Sequence, residues 1–351
     1  MKNVIGGRIF KTGLSVLATA IICEILNWPA MFAVITAIVT IEPTAADSIK
    51  KAFIRFPASA IGAAFAVIFT FLFGDSPISY TLVALCTIIA CTKLKLHDGL
   101  LVATLTGVAM ITTVHDEYIS SFFIRLGTTS TGLIVSSIVN LLVIPPNYST
   151  SIIKGFQTLL SNTGKLLMKR GDLSFEHEKE IHDDFEHLIN ELEKVKKLLY
   201  YQKQEWKFHR SNRKYIREFF YMSKKITLLE QIVFHIGNLI FIPFHHLKLN
   251  KEKEELISIA FNRLNRILND PYFSINQEEE MLVSKLTKWF TEQKTQSAFG
   301  EVYQEHVSYM KMETVLLFEL ISIFELTKEL HHYYNLEDRH SEPKIVKSSI
   351  G

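Results

Sequence analysis

The chain has few of the groups that covalent or redox chemistry requires. Among 351 residues there are three cysteines, Cys23, Cys86 and Cys91, in no zinc-site or disulfide spacing. They read as small apolar core residues. No G-x-x-x-x-G-K-[ST] loop occurs, which leaves the chain without an ATPase motif of its own. HEKEIH, from His177 to His182, separates its histidines by five residues instead of the four of H-E-x-x-H. His245–His246 and His331–His332 are adjacent pairs, and neighbours on a helix point about 100° apart, a poor chelating geometry. No Ser/His/Asp grouping can be assembled, so the expectation is a protein that is not an enzyme and holds no metal or cofactor. A formal net charge of +2 gives nucleic acid no purchase.

Charge of either sign is scarce in the first part of the chain. Residues 1–146 carry 16 of the 74 Asp, Glu, Lys and Arg residues, and 147–351 carry the other 58. Two halves in two solvents are implied. The amino terminus, MKNVIGGRIFK, opens like a signal peptide, but the apolar run ends in CEILNWP with no small-x-small cleavage site. It reads as a retained first span.

Apolar runs follow at about 9–26, 29–46, 57–73, 79–92, 99–114 and 119–144. A membrane span needs about 20 residues, and several of these are shorter, so a water-soluble helical core competes. Charge placement favours the membrane. Lys2, Arg8 and Lys11, then Lys50, Lys51 and Arg55, then Lys93 and Lys95 occupy alternate connections. The intervening ones, around Asn27, at GDSPIS and at HDEY, have no Lys or Arg. Such alternation predicts six spans with both ends in the cytoplasm and a place in the cell membrane.

Two small-residue stripes, Ala58–Gly62–Ala66 and Thr128–Gly132–Ser136–Asn140, predict close helix packing. Arg125 continues the second stripe on the same face. With about 1.5 Å of rise per residue, Glu24 lies roughly 5 Å below the outer end of span one and Arg125 roughly 9 Å into span six, close enough in depth to meet. Glu42, roughly 21 Å down span two, is level with Lys11 on span one by the same count. Intramembrane ionisable groups are costly, so Glu24, Glu42, Arg55 and Arg125 are candidates for a substrate or proton pathway.

Residues 27–63, NWPAMFAVITAIVTIEPTAADSIKKAFIRFPASAIGA, resemble the fusaric-acid-resistance and aromatic acid exporter family. The resemblance rests on Trp28 and Pro29 at a turn, Pro43 and Thr44 after an apolar helix, Ser48 before Lys50 and Lys51, then Arg55 and Gly62. Where many relatives read R-x-x-G-T, this chain has RFPAS. The resemblance implies six spans followed by a cytoplasmic helical region, and proton-driven efflux of a small organic anion with an aromatic or amphipathic body. It brings Trp28, Pro29 and Pro43 into the candidate site. A homodimer in the lipid bilayer is the expected assembly, two-fold dimers being the commonest oligomers.

After Pro145 and Pro146 the chain turns charged. Ile181, Phe185, Leu188, Leu192, Val195 and Leu199 form a coiled-coil-like seam, and Leu316, Leu320, Ile323 and Leu330 form a second stripe with Thr327. Helices are expected at about 211–242, 252–269 and 277–297, with connections at 268–274 and 294–300 and a disordered tail from 338. Residues 227–244 could be a seventh span but read better as a bundle helix. The fold expected is all-α: a six-helix transmembrane bundle over 1–146, then a helical bundle over 147–337. The seam also motivates an alternative, a non-transporting scaffold or sensor that binds a protein partner.

Overall fold

Local signals set most helix ends. Asn27 adopts the left-handed backbone (φ 53), and the N–H groups of Asn27 and Trp28 reach back to the carbonyls of Glu24 and Cys23 at 3.1 and 2.9 Å. That pair of bonds satisfies the last carbonyls of a helix and stops it. Pro29 then opens the next one. Thr44 accepts from the Asp47 N–H at 3.0 Å and starts a third helix.

A computed structural model describes residues 7–113, 118–143, 145–171, 178–208, 212–243, 247, 249–270, 277–300 and 311–341. These residues contain twelve α-helices and no strand. They are α1 (Gly7–Ile25), α2 (Ala30–Thr40), α3 (Ala45–Phe73), α4 (Pro77–Lys93), α5 (His97–Met110), α6 (Tyr118–Leu142), α7 (Ser149–Gly171), α8 (Glu178–Glu205), α9 (Arg213–Ile240), α10 (Lys251–Asn269), α11 (Gln277–Gly300) and α12 (Met312–Ser341). One compact unit comprises Met1–Asn147 and Tyr200–Arg210; the other comprises Tyr148–Leu199 and Ser211–Gly351.

In the first unit the small-residue stripes are contact faces. A Cβ added to Gly62 would lie 2.4 Å from the Ala103 carbonyl oxygen, and one on Gly107 would lie 2.9 Å from the Gly62 carbonyl oxygen. α3 and α5 therefore meet backbone to backbone. Gly132 on α6 is pressed the same way against Ala33 of α2, with 2.4 Å between a would-be Cβ and the carbonyl oxygen. α3 and α6 are long and apolar enough to cross a membrane, and α2 and α4 are shorter apolar helices. Of the six expected crossings, two therefore meet that test among the described residues.

Several boundaries differ from expectation. The second helix ends at Thr40 rather than near 46, and the third begins at Ala45 rather than near 57. Lys50, Lys51, Arg55 and Pro57 are helical, not parts of a connection. An interior proline costs about 3 kcal/mol, but packing can outweigh local preference. Gly99 of α5 lies against Ile54, Arg55 and Ala58 and holds the helix through that point. α11 continues through 294–300 because Lys, Gln and Ala favour helix. The start of the expected tail, 338–341, is the last turn of α12. The HDEY connection before Tyr118, His177, His245, His246, the 271–274 part of LNDPYFS and the tail beyond 341 lie outside the described residues.

The second unit has its own core. Ile181, Leu188, Leu192 and Val195 of the seam are buried in it, with Phe185 and Leu199 packed alongside. Leu316, Leu320, Ile323 and Leu330 of α12 join them, as do Leu229, Ile232 and Ile236 of α9. Residues 227–240 are thus part of a core helix. Arg170 is buried there, with Nε donating to the Leu239 carbonyl at 3.0 Å and Nη2 to that of Ile242.

Candidate functional site

Two polar centres lie inside the first unit. One surrounds the break between α2 and α3, where residues 41–44 leave the helix and their carbonyls turn to partners outside it. Asn140 on α6 spans this break. Its Nδ2 donates to the Glu42 carbonyl at 3.1 Å, the Thr44 carbonyl at 3.2 Å and Ser48 Oγ at 2.7 Å. Ser48 Oγ in turn donates to the Thr40 carbonyl at 2.8 Å and accepts from the Glu42 N–H at 3.1 Å. Arg8 Nη2 reaches the Ile41 carbonyl at 3.1 Å. Lys11 is buried, and its ammonium donates to Asn140 Oδ1 at 2.9 Å and to the Asn140 carbonyl at 3.2 Å. Arg8 at the carboxyl end of α2 complements its dipole and takes the carbonyl that follows its last residue.

Beside the break is an ion cluster. Glu42 Oε1 lies 2.7 Å from Arg55 Nη2, and Oε2 lies 3.2 Å from Lys51 Nζ. Arg55 also donates from Nε to the Asp98 carbonyl at 3.2 Å and from Nη1 to the Val39 carbonyl at 3.1 Å. Every nitrogen of that guanidinium has a partner. Residues at the end of α8 also reach this region: Ala45 N–H donates to Glu205 Oε1 at 2.8 Å and Tyr200 OH to Asp47 Oδ1 at 3.4 Å. Burial first, and then the Asp47 carboxylate, raise the Tyr200 phenol pKa above its ordinary value.

The second centre is Arg125, nearer the Asn27–Pro29 turn. Its guanidinium sits 4.4 Å from the Phe32 ring centroid, a cation–π contact. Nη2 makes one long bond, 3.5 Å, to Ser59 Oγ. Nε and Nη1 are buried without a hydrogen-bond partner. A cavity of about 150 Å³ adjoins it, lined by Pro29, Phe32, Met110, Ser121, Ile124 and Thr128. Trp28 is held near this mouth by contact with α6, since a Cβ on Gly127 would meet its ring at 2.5 Å.

The sequence-derived pairings come out differently. Glu24 is exposed and makes no ion pair with Arg125. Glu42 faces Arg55 and Lys51 instead of Lys11, because equal depth fixes the level of a side chain and not its direction around the helix. Pro43 lies in the break and Pro29 lines the cavity. Asn140, Ser48, Ser59 and Phe32 were not singled out as site residues. Asn140 had one signal, an amide at the end of a small-residue stripe; Glu205, in a charged helix 160 residues from its partner, had none.

The sequence model of aromatic acid exporter family member 1 matches residues 3–143. Together with the two crossing-length helices, this makes the molecule a helical membrane protein. The chain belongs to the UPF0421 family, whose members match it along its full length, and its first 143 residues carry the aromatic acid exporter family match. It is 39% identical to one from Bacillus thuringiensis subsp. konkukian over 99% of this chain and 98% of the relative. A UPF0421 protein of Oceanobacillus iheyensis is 38% identical, with 96% and 98% covered, and one of Halalkalibacterium halodurans 36% identical, with 95% and 93% covered.

Proposed function

We propose that the protein is a secondary exporter of small aromatic or amphipathic organic acids, driven by the proton gradient. One observation carries this reading: a buried arginine offers two unpartnered N–H groups beside an aromatic-walled cavity. A carboxylate would take one of the two bidentate forks, Nε with Nη2 or Nη1 with Nη2, satisfying an unpartnered nitrogen and replacing the long bond from Nη2 to Ser59. The acid's ring would lie in the cavity next to Phe32; an apolar cavity of about 150 Å³ is enough for one benzene ring. An organic anion would thus supply the hydrogen bonds that Arg125 lacks.

In this reading α1 to α6 all cross the cell membrane, with both chain ends and the second unit in the cytoplasm. The α2–α3 break lies at the inner surface and the Trp28–Pro29 turn at the outer one. Glu42 is the proposed proton-handling carboxylate, since protonation would release Arg55 and Lys51 together. Glu24, exposed near the outer turn, is the second candidate. Two copies form the working assembly. The scaffold alternative loses its main motive, because the 181–199 seam packs into the second unit's own core.

The test is reconstitution in proteoliposomes with an imposed pH gradient and a panel of hydroxybenzoate-like acids. The expected outcome is gradient-dependent movement of at least one acid, lost in Glu42→Gln, and greater sensitivity of a deletion strain to that acid. Movement of none of the panel by well-folded protein would overturn the proposal.

A further inference from the structure

The carboxylate of Glu205 has chemistry in common with the acids proposed as substrates, and its place in the first unit is unusual. It is 2% exposed and accepts from the Ala45 N–H at 2.8 Å. Ala45 is the first residue of a 29-residue helix, whose N-terminal amides carry the positive end of the backbone dipole. Glu205 satisfies the buried Ala45 N–H, while the other caps of α3 serve different amides. Thr44 Oγ1 takes the Asp47 N–H, the Thr44 carbonyl takes the Ser48 N–H at 3.1 Å, and Asp47 already supplies a negative charge to the first turn.

A second, independent cation belongs to the same place. Lys11 is 5% exposed, and its hydrogen-bond partners are the two neutral oxygens of Asn140. Asn140, which holds the ammonium, also bonds the Thr44 carbonyl next to Ala45, so Lys11 stands beside the helix start that Glu205 occupies. Ammonium, helix N-terminus and carboxylate therefore come from α1, α3 and the end of α8, three remote stretches of the chain. Burying an ion pair of this kind contributes little net stability compared with apolar packing of the same volume.

Resting on the exporter reading, we propose that Lys11 and the Ala45 N–H form a carboxylate-binding site at the inner mouth, which Glu205 occupies as an internal competitor. A transported acid displaces Glu205 there before it reaches Arg125. The site takes monocarboxylates and holds the resting protein closed to them until they compete.

Equilibrium dialysis of benzoate against purified full-length protein tests this without any transport. Removing the internal competitor raises the competent fraction, so Glu205→Ala should bind benzoate at least about three-fold tighter than the unsubstituted protein. Glu205→Gln, which keeps the acceptor oxygen and most of the shape, should fall between the two and covers the case in which the alanine variant does not fold. Lys11→Met should abolish the difference between them. Unchanged or weaker benzoate binding in a folded Glu205 variant overturns the inference. Absence of transport in the unsubstituted protein, with tighter binding in Glu205→Ala, would instead sink the exporter reading and leave this site standing.

Discussion

Arg55 and Arg125 are both interior arginines of the same helical unit, 6% and 2% exposed. Their surroundings are nonetheless opposite. Arg55 has Glu42 and two backbone carbonyls, while Arg125 has one long bond to a hydroxyl and the face of a phenylalanine. A buried donor without a partner costs about 1–3 kcal/mol, so a fold that leaves two of them on one side chain carries a standing penalty. Burial alone therefore does not mark a functional charge. The proposed anion site rests instead on the unmet hydrogen-bonding capacity of Arg125, which sets it apart from Arg55, a residue that ties helices together.

The largest effect should come from the satisfied member. Arg55→Met leaves Glu42 with Lys51 alone and removes the two bonds by which α3 holds the Val39 carbonyl of α2 and the Asp98 carbonyl of α5, and should destabilise the protein by about 3 kcal/mol in detergent unfolding. Pairing it with Glu42→Leu should recover much of that loss. If the single change left stability untouched, the two arginines would not differ as argued.

Arg125→Ala should reverse the pattern. Acid binding should weaken by about 2–3 kcal/mol, roughly 30–150-fold in Kd, while unfolding stability stays level or rises. Arg125→Lys should restore part of the affinity, lacking only the bidentate fork. A fall in stability without a fall in affinity would assign Arg125 to packing.

The smallest change tests the comparison from outside the first unit. Arg170 is buried in the second unit and its guanidinium binds the Leu239 and Ile242 carbonyls. Arg170→Met should cost about 1–2 kcal/mol of stability and leave acid binding unchanged. Burial also lowers the Arg170 pKa from its ordinary value, because desolvation disfavours the charged form.

Much of this architecture could be read from residue patterns. The apolar runs, the Asn27–Pro29 turn and the small-residue faces come from short-range rules, and each appears as a helix, a stop or a close contact. Pro57 misled because a local rule, proline as a breaker, was outweighed by packing against Gly99. At the site, rise per residue placed Arg125 and Glu42 at useful depths but could not say which way they faced. Their partners depend on rotation about the helix axis and on chain segments far away. Glu205 is the extreme case, since no local pattern distinguishes it from its solvated neighbours on α8.

The glycine contacts between α3 and α5 carry a mechanical consequence. With a carbonyl of each helix set against a glycine of the other, these two contacts have no side chain between them to change rotamer. Such backbone contact favours movement of the pair as one block. α3 meets α6 differently, through the hydroxyls of Ser59 and Thr129 at 3.3 Å, groups that can exchange partners at little cost. Arg125 hangs on that seam through Ser59. A rocking motion of the α3–α5 block against α6 would thus change the grip on the guanidinium directly, making the proposed anion-binding residue its own gauge of the conformational state.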